Sequence, residues 1–298
     1  MAAAVARAVL GLDDAECRDA ASVGPKAAVL SRLFTRMPGS VPWGFVLTPA
    51  AADALCDPHA AEARAVERLV RARIEQRAGP FSAAAFAVRS SALEEDSRDR
   101  SYAGQYETIL GVSTPEALVA AVAQCARSGS SARVAAYRRA AGASGGEGGV
   151  AVLIQEMVAA ERSGVAFTAN PTTGASEVVV NASYGLGDAI VSGEITPDEL
   201  VLDACDRVLS ARTGTKRHMV VLAAGGVTRV PVPAALREAP ALTEPQLRAV
   251  AGAARRCEAE LGFPVDMEWA IAGDAVHVLQ ARPITALVVA EGARDGGR

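Results

Sequence analysis

The stretch that most constrains the fold runs from Pro264 to Thr285, PVDMEWAIAGDAVHVLQARPIT. Two apolar runs, Val265 to Ala272 and Val276 to Leu279, flank Gly273 and Asp274, which is the pattern of a β-hairpin. Glu268, Gln280 and Arg282 interrupt runs that otherwise call for burial, and a buried carboxylate needs a partner or a cation. A two-residue turn at Gly273 and Asp274 would set Glu268 opposite Leu279. A three-residue loop, Gly273 to Ala275, instead sets Glu268 opposite Gln280 and Asp266 opposite Arg282. The second register is the expected one. It places two oxygen donors suited to a hard cation such as Mg²⁺ beside a guanidinium suited to phosphate, and it leaves Met267, Trp269, Ile271, His277 and Leu279 on the other face as packing. On spacing alone, the same residues also describe a polar sheet face with a surface ion pair.

Half of the 298 residues are hydrophobic, enough for a large core or for two lobes facing each other across a cleft. With 30 basic and 34 acidic residues the net charge is only −4, so nothing favours a nucleic acid or an acidic membrane surface as partner. Cys17, Cys56, Cys125, Cys205 and Cys257 are scattered and nowhere spaced as CxxC, which argues against a disulfide framework or a zinc site. The opening MAAAVARAVLGLDD reads as a helix rather than a signal peptide, and no run approaches the ~20 apolar residues of a membrane span. A cytoplasmic protein is expected.

Only two lysines, Lys26 and Lys216, survive in a chain that otherwise uses arginine. A compact ammonium on a flexible stem follows a moving phosphate as a planar guanidinium does not, so chemistry is one reason to keep a lysine. Lys26 follows Gly24 and Pro25 and begins an apolar periodic run, SVGPKAAVLSRL, a loop that delivers a lysine to a helix start where phosphates are attracted. An ordinary capped helix with a surface lysine fits as well. Lys216 lies before a strand in ARTGTKRHM; its claim to the phosphates is weaker, and a simply solvated lysine fits its position.

The strand FAVRSS, Phe86 to Ser91, ends by presenting Arg89 with two serines. Beyond an acidic turn, small residues around Gly104 would let backbone N–H groups approach an anion. Ala50 to Ala78 and Pro115 to Ala143 read as helices, and Gly145 to Gly149 as a linker. From Val150 the pattern turns to short strands separated by Gly, Pro, Asn and Asp. Gln155 and Glu156 end the first of them just before Met157 and Val158, and such a strand end offers a purine exposed backbone and an apolar sandwich. The turn SYGLGDAIVSG lacks GxGxxG, which excludes a Rossmann reading. A helix is expected from Leu242 to Gly262, capped at Thr243.

Taken in order, VGPKAAVLSRL, VPWGFVLT, AVRSSALEEDSRDRSYAGQYETILGV, VAVLIQEMV, GVAFTANPTTG, YGLGDAIVSGEITPDE and MEWAIAGDAVHVLQARPIT resemble the nucleotide-binding domain shared by phosphoenolpyruvate synthase, pyruvate phosphate dikinase and rifampin phosphotransferase. The resemblance implies an α+β, ATP-grasp fold with two lobes clamping ATP and a mostly antiparallel sheet in the C-terminal lobe. The expected division is an N-terminal lobe over 1–110, an ATP-grasp lobe over 111–285 and a tail over 286–298. Lys26, Arg89 and Arg282 are similar to the family's phosphate-binding residues, Gln155, Met157 and Val158 to its adenine hinge, and Glu268 and Gln280 to its Mg²⁺ ligands. Pro25 stands where the family usually has a second glycine. Family enzymes continue past the RPIT segment into a domain with a phosphate-carrying histidine in a Thr-Ser-His context. His59, His218 and His277 have no such context. The resemblance therefore implies an ATP- and Mg²⁺-dependent phosphotransferase that works with a separate histidine-carrying domain or directly on a small-molecule acceptor. An ATP-grasp ligase that activates a carboxylate as acyl phosphate, or a non-catalytic ATP-binding protein, would share the same ATP contacts.

Overall fold

The computed structural model describes residues 8–57, 59, 61–78, 85–92, 108–129, 149–191 and 193–284. It is a mixed α/β structure that divides into two compact units. Unit 1 is Met1–Ala159 with Val220–Val230, and unit 2 is Ala160–Met219 with Pro231–Arg298.

Unit 1 contains β1 (Val9–Gly11), α1 (Ala20–Arg36), β2 (Gly44–Leu47), α2 (Pro49–Ala54), α3 (Ala61–Ala78), β3 (Phe86–Ala92), β4 (Thr108–Val112), α4 (Pro115–Gly129) and β5 (Val150–Glu156). Its strands form one sheet in the order β1-β2-β5-β3-β4, antiparallel throughout. Alternation sends Phe45, Leu47, Phe86, Val88, Val152 and Ile154 to one face, where they form a core with Val66, Val70 and Ile74 of α3 and Leu118 and Val122 of α4. The opposite face receives α1, which packs on β3 and β5. Of the opening segment expected as a helix, residues 1–7 lie outside the described residues, and Val9–Gly11 are instead β1, whose hydrogen bonding to β2 decides their conformation. The helix expected over Ala50 to Ala78 is two, α2 and α3, which are separate elements on either side of His59.

Unit 2 contains β6 (Arg162–Phe167), β7 (Val178–Tyr184), α5 (Asp188–Val191), β8 (Asp198–Leu202), β9 (Val208–Arg212), α6 (Glu244–Leu261), β12 (Val265–Ala272) and β13 (Ala275–Pro283). Six strands pair antiparallel in the order β13-β12-β6-β7-β8-β9. Two further strands, β10 (His218–Ala223) and β11 (Gly226–Pro231), form their own two-stranded sheet. α6 covers one face of the large sheet, and Cys257 Sγ lies 3.7 Å from Met267 Sδ. It begins as expected at Thr243, whose N–H donates to the Gln246 side chain at 3.0 Å, and ends at Gly262, whose φ of 81° suits only a glycine well. Among the described residues no helix is long and apolar enough to cross a membrane.

Candidate functional site

In unit 1 the residues of interest gather on the α1 face of the sheet. Val88 points into the core, so its neighbours Ala87, Arg89 and Ser91 point the other way, and their partners on β5 are Gln155, Leu153 and Ala151. α1 is brought down onto this face by Gly24. Its φ of 77° interrupts the helix, and a Cβ there would stand 2.4 Å from Ser91 Oγ and 2.6 Å from Ser91 O. Only glycine permits that approach. The helix then resumes at Pro25, in the position of a helix start where a missing N–H costs nothing. Ser91 Oγ accepts from Ala27 N–H at 3.3 Å and so caps the resumed turn. Lys26, half-buried, sits inside that turn. The loop carrying Lys26 and the Arg89-Ser90-Ser91 strand end are therefore one packed assembly, although 64 residues separate Ala27 from Ser91.

The end of β5 lies beside it. Glu156 N–H donates to Trp43 O and Met157 N–H to Ala85 O, both at 2.8 Å, so the chain is held on two sides as it leaves the sheet. Gln155 is 2% exposed, and its Nε2 has no hydrogen-bond partner among the described residues. A buried donor left unmade costs about 1–3 kcal/mol, which marks this as a place where an acceptor is wanted. The Glu156 carboxylate lies 3.9 Å from Arg77, and Met157 and Val158 are half-buried. Gly104 lies outside the described residues.

In unit 2, Glu268 pairs with Gln280 and Asp266 with Arg282, the expected register. It arises differently from the expectation. Ala272 pairs with Ala275 across a two-residue turn, and the ladder then slips by one between Glu268 and Trp269, so that Leu279 is an extra residue on β13. A β-bulge does the work assigned to a longer loop. The Arg282 guanidinium donates to Asp266 Oδ2 at 2.9 Å, and Gln280 is buried at 7% exposure. The bulge also overturns the expected place of His277. It pairs with Ala270 and therefore shares the face of Glu268 instead of packing on the opposite one. Burial lowers the pKa of its imidazole. On that same face the sheet continues from Glu268 through Val165 and Asn181 to Glu199, a row across four strands that is polar except at Val165.

Lys216 is not solvated. It is fully buried, donates to Asp198 Oδ1 and to Gly214 O, and lies 5.9 Å from the centre of the Tyr184 ring. Asp198 accepts in addition from Gly214 N–H at 2.8 Å and Ala241 N–H at 2.6 Å. No motif in the sequence marks Asp198. Its only signal there was the second lysine in a chain that avoids lysine.

Among the described residues, no three His, Cys, Asp or Glu side chains cluster as a metal cage. Glu268 and Gln280 fit a weaker demand. Both offer side-chain oxygens from directly opposed positions, and Mg²⁺ typically takes one or two carboxylates and completes its shell with phosphate and water.

Residues 59–295 match the family described as pyruvate phosphate dikinase, AMP/ATP-binding domain, and the chain belongs to it. It is 39% identical over 204 residues to a rifampicin phosphotransferase of Streptomyces sviceus, covering 68% of this chain and 24% of that protein. A probable phosphoenolpyruvate synthase of Methanothermobacter thermautotrophicus is 38% identical over 202 residues, covering 67% and 30%. A rifampicin phosphotransferase of a Streptomyces species is 32% identical over 314 residues, covering 94% and 36%. The chain thus spans roughly a quarter to a third of the length of these relatives.

Proposed function

We propose that this chain is the nucleotide-binding part of an ATP- and Mg²⁺-dependent phosphotransferase with an ATP-grasp fold, acting in the cytoplasm. The observation that carries the reading is the hairpin register, which opposes Glu268 to Gln280 and Asp266 to Arg282 on one sheet face in a member of an AMP/ATP-binding family. Unit 1 contributes Lys26 and Arg89 to the phosphates, and Gln155, Glu156, Met157 and Val158 to the adenine, with Gly104 as a further backbone contact. Unit 2 contributes Arg282 to the phosphates and Glu268 and Gln280 to the metal.

The division of labour follows from the chemistry of phosphoryl transfer, which asks a protein mainly for positioning and charge neutralisation. Bound by Glu268 and Gln280, Mg²⁺ would neutralise phosphate charge. Arg282 is held by Asp266, which fixes its planar fork before a ligand arrives and reduces the entropy lost on binding. Lys26 stands in the first turn of the resumed helix, where the dipole favours an anion; Pro25 has no N–H and Ser91 takes that of Ala27, so the attraction rests on the dipole and the Lys26 ammonium. Gln155 Nε2 supplies a donor with no competing partner among the described residues.

The acceptor is either a histidine on a separate phosphotransfer domain or a small molecule. Incubation with ATP labelled at each phosphate, alone and with candidate acceptors, followed by separation of AMP, ADP, phosphate and labelled protein, tests the reading. Acceptor-dependent transfer supports it. Conversion only in the presence of a carboxylate and a nucleophile that become joined would indicate a ligase, and tight ATP binding without turnover under any condition would indicate a binding protein.

A further inference from the structure

After Met219 the chain leaves unit 2 and enters unit 1 as the outer part of the β10–β11 hairpin, returning at Pro231. The place where its tip lands is unusual. Gly111, on the edge strand β4, has φ of 75°, and a Cβ there would stand 2.4 Å from the carbonyl carbon, 2.6 Å from the Cα and 2.8 Å from the carbonyl oxygen of Gly226. The two backbones touch directly, and no side chain other than hydrogen fits at Gly111. The β4 ladder is irregular at this point, with Val88 opposite Ile109 but Phe86 opposite Val112, so Leu110 and Gly111 both face Ala87. The bulge turns the Gly111 N–H out of the ladder. It donates to Met157 Sδ at 3.0 Å. Ala87 is in turn the direct partner of Gln155. The hairpin tip, the bulge and the strand end at 155–157 are thus three successive contacts.

We infer that the β10–β11 hairpin is a positioning element for the nucleotide base: Gly226 fixes Gly111, and Gly111 fixes the Met157 side chain against which the base packs. The inference rests on the reading of 155–158 as the adenine hinge. Methionine has three rotatable bonds and fills gaps loosely, so a Met wall needs an external tether to present one shape. The Gly111 N–H supplies it, and its own direction is set by a bulge that cannot relax while Gly226 lies against it. The hairpin does not touch the phosphate-binding residues of unit 1 by this route, so its influence is on the base and not on the triphosphate.

Two measurements on the full chain test this. The first uses the native sequence and hydrogen exchange with and without ATP. Protection by ATP should appear at 156–158 and at 220–230, and not at the exposed edge strand 208–212. Protection of 156–158 without any at 220–230 would overturn the inference, whereas no protection at 156–158 would overturn the hinge assignment itself and the inference with it. The second compares Gly111→Ala with Gly39→Ala. Both place an L side chain at positive φ, 75° and 78°, but a Cβ at Gly39 meets nothing within 4 Å. At Gly111 the hairpin must recede by about 1.1–1.6 Å, from 2.4 Å, to restore a normal carbon contact of ~3.5–4.0 Å. Gly111→Ala should weaken ATP and AMP binding roughly tenfold relative to Gly39→Ala and leave tripolyphosphate binding unchanged. Equal ATP affinity in the two variants, or equal weakening of ATP and tripolyphosphate by Gly111→Ala, would refute the positioning role. If Gly111→Ala does not fold, the exchange experiment decides alone.

Discussion

Replacing Lys216 by methionine keeps most of the buried stem and removes only the ammonium. The site has no exposure to water, so the loss cannot be made good by solvent. Asp198 would retain two donors, the N–H groups of Gly214 and Ala241, but its charge would be left uncompensated and Gly214 O would lose the Nζ donor. Breaking a buried pair from one side costs about 3–5 kcal/mol. At about 2–4 °C per kcal/mol for a domain of some 150–250 residues, the melting temperature of Lys216→Met should fall by roughly 6–20 °C. The surroundings give little room for repair, since a Cβ on Gly214 would lie 2.1 Å from Thr196 O and 2.3 Å from Pro197 O, a sign of how tightly the two turns meet. Differential scanning calorimetry of Lys216→Met, Asp198→Asn and the double variant forms the cycle. Asp198→Asn removes the charge but keeps an acceptor for only one of the two backbone N–H groups, so it costs stability itself, and the double variant should lose less than the sum of the two single losses. A fall of less than 2 °C for Lys216→Met, or strict additivity in the double variant, would show that the pair is not coupled as described.

Glu268→Ala should abolish ATP turnover while leaving the circular dichroism spectrum intact, because the side chain is only half-buried on a sheet face; turnover at the native rate would remove Glu268 from the metal site. Lys26→Arg keeps the charge but changes its shape, and at least a tenfold loss of turnover is expected; near-normal steady-state kinetics would show that the ammonium is not required. Burial pushes the thiols of Cys17 and Cys257 up to about 12, so at pH 8 a thiol reagent should titrate exposed Cys205 rapidly and reach Cys17 and Cys257 only after denaturation, as mass spectrometry of the labelled peptides would reveal. Burial also lowers the pKa of His277 from 6.5, so the unfolded chain takes up its proton first and stability falls as pH drops below about 6.5. His277→Phe should flatten that part of a melting-temperature profile between pH 7 and 5, and an unchanged slope would assign the acid sensitivity elsewhere.

The pairing of Glu268 with Gln280 was legible because a chemical demand selected one register out of two. The turn that produces it was not, since a bulge needs no glycine and no other signature residue, and Leu279 looks like any apolar strand position. That single extra residue is also why alternation counted from Glu268 sent His277 to the wrong face. β11 has no legible signature for a different reason: only Gly226 and Val230 are half-buried and the rest is exposed, so burial leaves no alternation in VTRV to read. The joining of Gly24 to Ser91 could not be inferred from either motif alone. Each suggested an anion site, and only the tertiary fold shows that the serine caps the helix that the glycine admits.

The two lysines, finally, are kept in a background of arginine for a reason that the buried one makes explicit. Around Lys216 Nζ stand a carboxylate oxygen, one carbonyl oxygen and, farther off, the face of an aromatic ring. An ammonium has three donors on one atom and can turn to meet such a set, whereas a guanidinium carries five donors in a rigid plane. With no water at hand, several of those five would be buried without acceptors, each at a cost of about 1–3 kcal/mol. Donor count and shape, not charge, exclude arginine here. A drift toward arginine across the rest of the chain therefore acts as a filter that spares positions where a single rotatable cation is needed. Lys26 stands in a half-buried turn whose next N–H, that of Ala27, donates to Ser91, and the Lys26→Arg variant asks whether the same donor geometry matters there.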